Sequence, residues 1–193
     1  TELPLTSKGW LHYTDLKSMK KIKLAIIGVG NCASSLVQGL EFYRKNHTQL
    51  DAGAEVPGLM NYRIGGYRPQ DIEVVAAFDI DKRKVGRPLN KAIFALPNCT
   101  QLITDKLSPT SATVQMGPVL DGIAEHMKEY PDNRRFIPSS AKSVDTAKIL
   151  KKTGAEIAIN YLPVGSQKAT EYYAECCLKT GVSFINCIPV FIA

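Results

Sequence analysis

The feature that most constrains this chain is the stretch Lys21-Ile22-Lys23-Leu24-Ala25-Ile26-Ile27-Gly28-Val29-Gly30-Asn31-Cys32-Ala33-Ser34-Ser35. A short apolar run ends in G-x-G-x-x-A and passes straight into a helical pattern. This is the dinucleotide-binding fingerprint in its meaningful context, with a strand before it and a helix after it. Gly28 permits the tight turn out of the strand. Gly30 has no side chain, so a pyrophosphate can approach the backbone. Ala33 is small enough for close packing of helix on sheet. The helix N-terminus offers unpaired N–H groups and a partial positive charge to phosphates. A plain glycine turn between a strand and a helix is the competing reading of the same letters.

Around this unit the chain alternates strand and helix. The sequence predicts a strand over 22–27 and a helix over about 31–45, with Ala33, Leu36, Val37, Leu40 and Tyr43 on one side. Residues 46–70 are rich in Pro and Gly and read as a long excursion. A second strand spans 71–79; its continuous apolar run suits a parallel strand buried on both faces. Residues 80–109 carry no assignable pattern. A short strand is predicted at 112–116 and a helix at 120–130. Another helix runs from about 140 to 153, with Gly154 as its stop. A strand over 156–162, a helix over 166–180 ended by Gly181, and a strand over 182–186 follow. The fold class is α/β, a doubly wound (Rossmann) parallel sheet with flanking helices. Residues 1–20 read as an irregular arm and 21–193 as one dinucleotide-binding domain. The apolar last residues and the missing Met suggest a piece of a longer polypeptide.

Composition removes several classes of function. The 193 residues are long enough for one core, and 45% hydrophobic with 22% charged is ordinary for a globular protein. No apolar run reaches the length of a membrane span, and no signal peptide opens the chain. The net charge of +6 is scattered. The clusters Lys20, Lys21, Lys23 and Lys82, Arg83, Lys84, Arg87 read as solvated faces. No nucleic-acid motif accompanies them; a phosphorylated small substrate suits the balance. Five cysteines without C-x-x-C spacing argue against a disulfide framework and a structural zinc site. A cytoplasmic compartment is the expectation. The three histidines have no ligand spacing, so no metal site is predicted.

Candidate cofactor contacts follow from the fold. Asp79 ends the second strand, where an acidic residue binds the ribose hydroxyls of adenosine. The spacing from the glycines exceeds the usual ~20 residues because of the 46–70 excursion. Asp81 competes two residues on. Leu162, Pro163, Val164, Gly165 and Ser166 join a strand to a helix at the end of the sheet where ligands lie. Ser166 is equally suited to cap that helix. Asn186 ends the next strand and faces the same crevice. Tyr173 shares an apolar helix face with Ala169, Cys176 and Cys177, which favours a core role over a ligand role. Cys32 reads as a small residue beneath the cofactor before it reads as a nucleophile. No acid/base pair, Ser-His-Asp order or Cys-His order stands out.

Six segments carry a resemblance: Val29 to Gly39, Val56-Pro57-Gly58-Leu59-Met60, Ala76-Ala77-Phe78-Asp79, Gly117-Pro118-Val119-Leu120-Asp121-Gly122, Tyr161 to Ser166, and Pro189-Val190-Phe191-Ile192-Ala193. In this order they resemble the myo-inositol-1-phosphate synthase (inositol-3-phosphate synthase) family in its bacterial and archaeal form. The resemblance implies conversion of glucose 6-phosphate to an inositol phosphate by oxidation, enolisation, aldol cyclisation and reduction. NAD is then used and regenerated. It matches Gly28, Val29, Gly30, Asn31 and Cys32 to the pyrophosphate turn. Asp79 matches the strand-end acid, 162–166 the loop toward the nicotinamide, and Tyr173 a tyrosine behind it. It also implies a homotetramer, and catalytic lysines beyond residue 193. This chain alone is then expected to be inactive. Another NAD(P)-dependent oxidoreductase and a non-catalytic dinucleotide-binding module are the alternatives.

Overall fold

The computed structural model describes residues 20–192 except 54, 105 and 124. All but one residue of the arm predicted at 1–20 therefore lies outside the described residues. Five strands form one parallel sheet: β1 (Ile22–Ile27), β2 (Ile72–Asp79), β3 (Val114–Met116), β4 (Ile157–Asn160) and β5 (Ser183–Asn186). Their order is β3-β2-β1-β4-β5, with β1 central and paired to β2 and β4. The chain moves outward from β1 to β3, then crosses back to β4 on the other side. The sequence of strands thus reverses beside β1, and a crevice opens there beyond the carboxyl ends.

The helices are α1 (Asn31–Lys45), α2 (His47–Asp51), α3 (Leu89–Ala92), α4 (Thr146–Thr153) and α5 (Gln167–Thr180). They cover both faces. Alternate residues of β1 point opposite ways. Ala25 and Ile27 join Phe78, Leu150 and Cys177 on the α4 and α5 face. Leu24 and Ile26 join Ala33, Leu89, Ile93 and Val114 on the α1 and α3 face. The inner stretches of the two strands, residues 24–27 of β1 and 74–78 of β2, are therefore apolar without interruption. Gly154 and Gly181 end α4 and α5 in the left-handed conformation, at φ +64° and +72°.

Three expectations change. The helix predicted over 120–130 is a short 3₁₀ turn, Glu125–Glu129, between Gly122 and Pro131. The helix predicted from about 140 begins at Thr146. Val144 first donates its N–H to the Met116 carbonyl at 2.9 Å, and Asp145 then caps the helix. Lys84 does not belong to a solvated face: it is 3% exposed. No helix among the described residues is long and apolar enough to cross a membrane.

Candidate functional site: a dinucleotide crevice

The turn after β1 is shaped by close approach. Gly28 has φ +86°, and a Cβ there would lie 2.9 Å from the Tyr161 backbone. Any side chain would be strained in conformation and would push β1 from the loop after β4. Gly30 differs: among the described residues, a Cβ there meets no protein atom within 4 Å. The space over Gly30 belongs to whatever occupies the crevice. Gly30 is the N-cap of α1, and no acidic side chain lies in the first turn. Among the described residues, no hydrogen bond occupies the N–H groups of Asn31, Cys32 and Ala33. They are donors available to an anion.

The peptide group of Val29, between the two glycines, is held on both sides. Its N–H donates to Asp79 Oδ2 at 2.7 Å. Its carbonyl accepts from Lys84 Nζ at 2.8 Å and from Asn98 Nδ2 at 3.1 Å. Lys84 Nζ also donates to Asn98 Oδ1 at 2.8 Å and lies 4.0 Å from Asp79 Oδ2. Burial lowers the Lys84 pKa, and the carboxylates of Asp79 and Asp81 oppose that shift. The Val29 side chain is buried and Val29 does not line the crevice; through its backbone it holds the glycine turn in place.

Asp79 is fixed by more than this bond. Its Oδ1 accepts from the N–H groups of Ile80 and Asp81 at 2.7 and 2.8 Å. Its side chain is 11% exposed and lines the crevice. Asp81 is fully buried instead. It accepts from Arg83 Nε and Nη2 at 2.8 and 2.6 Å and from the Ile137 N–H at 2.9 Å. Burial raises the Asp81 pKa, but these donors outweigh it and hold the carboxyl below its usual value. Of the two acids, Asp79 lines the crevice and Asp81 braces the loop beside it.

A cavity of about 290 Å³ unites Gly28, Gly30, Asn31, Asp79, Leu162, Pro163, Ser166 and Tyr173. Cys32, Val164 and Gly165 are exposed outside this lining. Asn186 also lies outside it: its amide donates to the carbonyls of Ile188 and Val190, both at 3.0 Å, and accepts from Asn160 at 2.9 Å. Asn186 therefore organises the chain after β5. Tyr173 is both core and wall. It is 3% exposed, packs on Phe78 with ring centroids 5.7 Å apart, and burial raises its pKa. A larger cavity of about 520 Å³ lies elsewhere, lined by Leu40 and Glu41 of α1 and Ile72 and Val74 of β2; none of the glycine-turn residues lines it.

Comparison with known proteins decides the family. Inositol-3-phosphate synthase of Mycolicibacterium smegmatis is 47% identical over 173 residues, 90% of this chain. The chain belongs to the inositol-3-phosphate synthase family. The enzyme of that name from Mycobacterium tuberculosis is also 47% identical, and that from Corynebacterium glutamicum 44%, over 90% and 91% of the chain. The chain spans about half the length of these relatives, 44% to 46%. No family model matches it. The crystal structure of Ari2 superposes with a TM-score of 0.71 at 33% identity, over 89% of this chain and 46% of that one. A myo-inositol-1-phosphate synthase-related protein from Thermotoga maritima shares the fold at TM-score 0.58 and 18% identity, over 89% of this chain and 49% of its own.

Within this family member, several crevice residues carry no periodic or motif signal of their own. Asn98 of the lining, and Lys84, which braces the glycine turn from outside the lining, lie in the patternless 80–109 region. Pro118, Asp121 and Gly122 lie in a segment that marks the resemblance but suggests no role by its spacing. Phe136 comes from the long connection before α4 and lines the same cavity.

Proposed function

We propose that this chain is the NAD-binding part of an enzyme that converts D-glucose 6-phosphate to 1D-myo-inositol 3-phosphate, as the names of its relatives suggest. The observation that carries the reading is the pairing of open space over Gly30 with unoccupied N–H groups at the start of α1. These groups suit a pyrophosphate. Asp79, held rigid by three backbone donors, suits the ribose hydroxyls of the adenosine. Its carboxylate favours NAD over NADP, whose 2′-phosphate removes a donor and adds like charge. Lys84 does not reach out to a 2′-phosphate, because its ammonium is committed to the Val29 carbonyl and Asn98 Oδ1 beneath the glycine turn. Leu162 and Pro163 form the wall for the nicotinamide end, and Tyr173 closes the floor. When bound, NAD supplies a reversible hydride store with no net redox change.

In this reading the groups that stabilise the enolate and bind the sugar phosphate belong to the remainder of a homotetrameric enzyme. Charge stabilisation of that kind is commonly among the largest catalytic contributions. The 193-residue chain therefore binds NAD but forms no inositol phosphate. Calorimetry with NAD, and a product assay with glucose 6-phosphate and NAD, test both halves. Absence of NAD binding defeats the cofactor reading, and product at an enzyme-like rate defeats the division of labour. Net NADH accumulation on turnover would favour an ordinary oxidoreductase instead.

A further inference from the structure

β3 is the edge strand on the β2 side, yet the segment that follows it reaches the helix that follows β4. It is fastened there at three places. Gly117 lies against the Tyr173 hydroxyl, and a Cβ at that position would overlap it. The Asp121 carboxylate accepts from the N–H groups of Lys168 at 2.7 Å and Ala169 at 3.0 Å. Gly122, at φ +81°, lies against the Ser166 hydroxymethyl group, which a Cβ would also overlap. Pro118, Asp121 and Gly122 line the same cavity as Gly28, Gly30 and Asp79. The segment therefore crosses the crevice instead of leaving the sheet.

Helix capping is usually local, from the residue that starts the helix. Ser166 starts α5 and makes no side-chain capping bond. The cap comes instead from a carboxylate 47 residues before Lys168. A distant cap does two things. It satisfies orphan N–H groups and the helix dipole, and it ties two segments that no strand pairing joins.

We propose that residues 117–123 clamp the non-adenosine half of the dinucleotide, and that Asp121 is the positioning residue that fastens the clamp. The inference rests on reading the crevice as a dinucleotide site. Asp79, at the end of β2, takes the adenosine ribose, and the turn after β1 takes the pyrophosphate. The remaining ribose and nicotinamide then reach the β4 side, between the clamp and Leu162-Pro163. Asp121 governs affinity for the whole dinucleotide and leaves a ligand ending at the pyrophosphate unaffected.

Calorimetry with NAD and with ADP on the wild-type chain, Asp121→Ala and Asp121→Asn tests this. Asp121→Ala should bind NAD about tenfold more weakly and ADP within about twofold of wild type. Asp121→Asn, which keeps an acceptor but not the charge, should fall between. Equal losses for NAD and ADP would reduce Asp121 to a structural cap and overturn the proposal, as would no loss for either. If Asp121→Ala fails to give a cooperative melt, the same NAD-against-ADP contrast in Asp121→Asn decides. Wild type binding neither ligand is a separate result, which removes the dinucleotide site itself.

Discussion

Two helices begin at the carboxyl ends of neighbouring parallel strands and border one crevice, and they are finished differently. α1 follows β1, starts on Gly30, and has no side-chain cap and no acid in its first turn. α5 follows β4, starts on Ser166, and likewise has no acid of its own in the first turn. But α5 receives the Asp121 carboxylate on two of its first N–H groups. The partial charge of α1 is left uncapped among the described residues; that of α5 is neutralised from within the chain. A charge at a helix end is worth about 0.3–1 kcal/mol, and more where partly buried. Two similar helix ends therefore divide the crevice. One side attracts anions, and the other carries a carboxylate that repels them.

The largest effect should come from closing the open end. Gly30→Val places a branched side chain where, among the described residues, no protein atom lies within 4 Å of the Cβ position. NAD affinity should fall at least about 100-fold, about 2.7 kcal/mol. Stability should fall by no more than about 1 kcal/mol, the loss of a favourable N-cap residue. Calorimetry and thermal melts on one preparation separate the two. Undiminished NAD affinity would mean that α1 is not the anion site.

Asp79 tests what sits beside that end. Asp79→Asn keeps one acceptor oxygen, but its amide NH₂ must face one of three backbone donors now held by the carboxylate. The Val29 peptide loses part of its anchorage, so both NAD and NADP should weaken. Because like charge is removed only for NADP, the preference for NAD should shrink by about tenfold, 1.4 kcal/mol. An unchanged preference would show that the carboxylate serves the turn and not the ribose.

How much of this was legible in the sequence differs between the two helix ends. The strand, glycine turn and α1 were readable because each signal is local: an apolar run, glycines at fixed spacing, and a 3.6-residue period. Gly154 and Gly181 marked the ends of α4 and α5 for the same reason. The region 80–109 was not readable, because side chains distant in sequence hold it. Gln38 is fully buried in α1 and accepts the Ile103 N–H at 2.7 Å. Asn31 accepts the Cys99 N–H at 2.9 Å, and Glu41 accepts from the Ser108 hydroxyl at 2.8 Å. These polar residues sit inside an amphipathic pattern that marks only the apolar stripe. Lys84 reads as part of a solvated run in the sequence; the Val29 carbonyl, Asn98 Oδ1 and the nearby Asp79 carboxylate explain its burial. The Asp121 cap was invisible for the same reason: its partners lie 47 and 48 residues away. The candidate residues at 162–166 split accordingly, with Leu162, Pro163 and Ser166 in the lining and Val164 and Gly165 outside it.

The difference between the two ends can be erased by one atom's exchange. Asn31 opens α1, and its Oδ1 accepts from the Cys99 N–H at 2.9 Å and the Thr100 hydroxyl at 3.0 Å. Asn31→Asp keeps both acceptor roles, loses only the long amide contact to Cys99 Sγ at 3.6 Å, and puts a carboxylate where α5 has one. The helix should gain a few tenths of a kcal/mol, within the range of about 0.3–1. NAD should bind roughly fivefold more weakly at low salt, and the loss should shrink as salt screens the new charge. An affinity that matches wild type at low ionic strength would break the comparison.

The smallest effect should come from a capping carboxylate that borders no crevice. Asp145 starts α4 and accepts the Lys148 N–H at 3.0 Å on the exposed surface. It does not line the cavity that holds Gly30 and Asp121. Asp145→Ala should cost about 1 kcal/mol of stability, within the usual range of about 0.5–2 for an N-cap. It should leave NAD and ADP affinities unchanged. Helix stability and ligand affinity are thereby separated, because this substitution removes the same kind of bond as Asp121→Ala without touching the ligand's walls. If Asp145→Ala weakened NAD as much as Asp121→Ala, capping carboxylates would act on binding only through the general stability of the domain. The contrast between α1 and α5 would then have no bearing on where the ligand's charge goes. A thermal melt and one calorimetric titration on each variant are enough to decide.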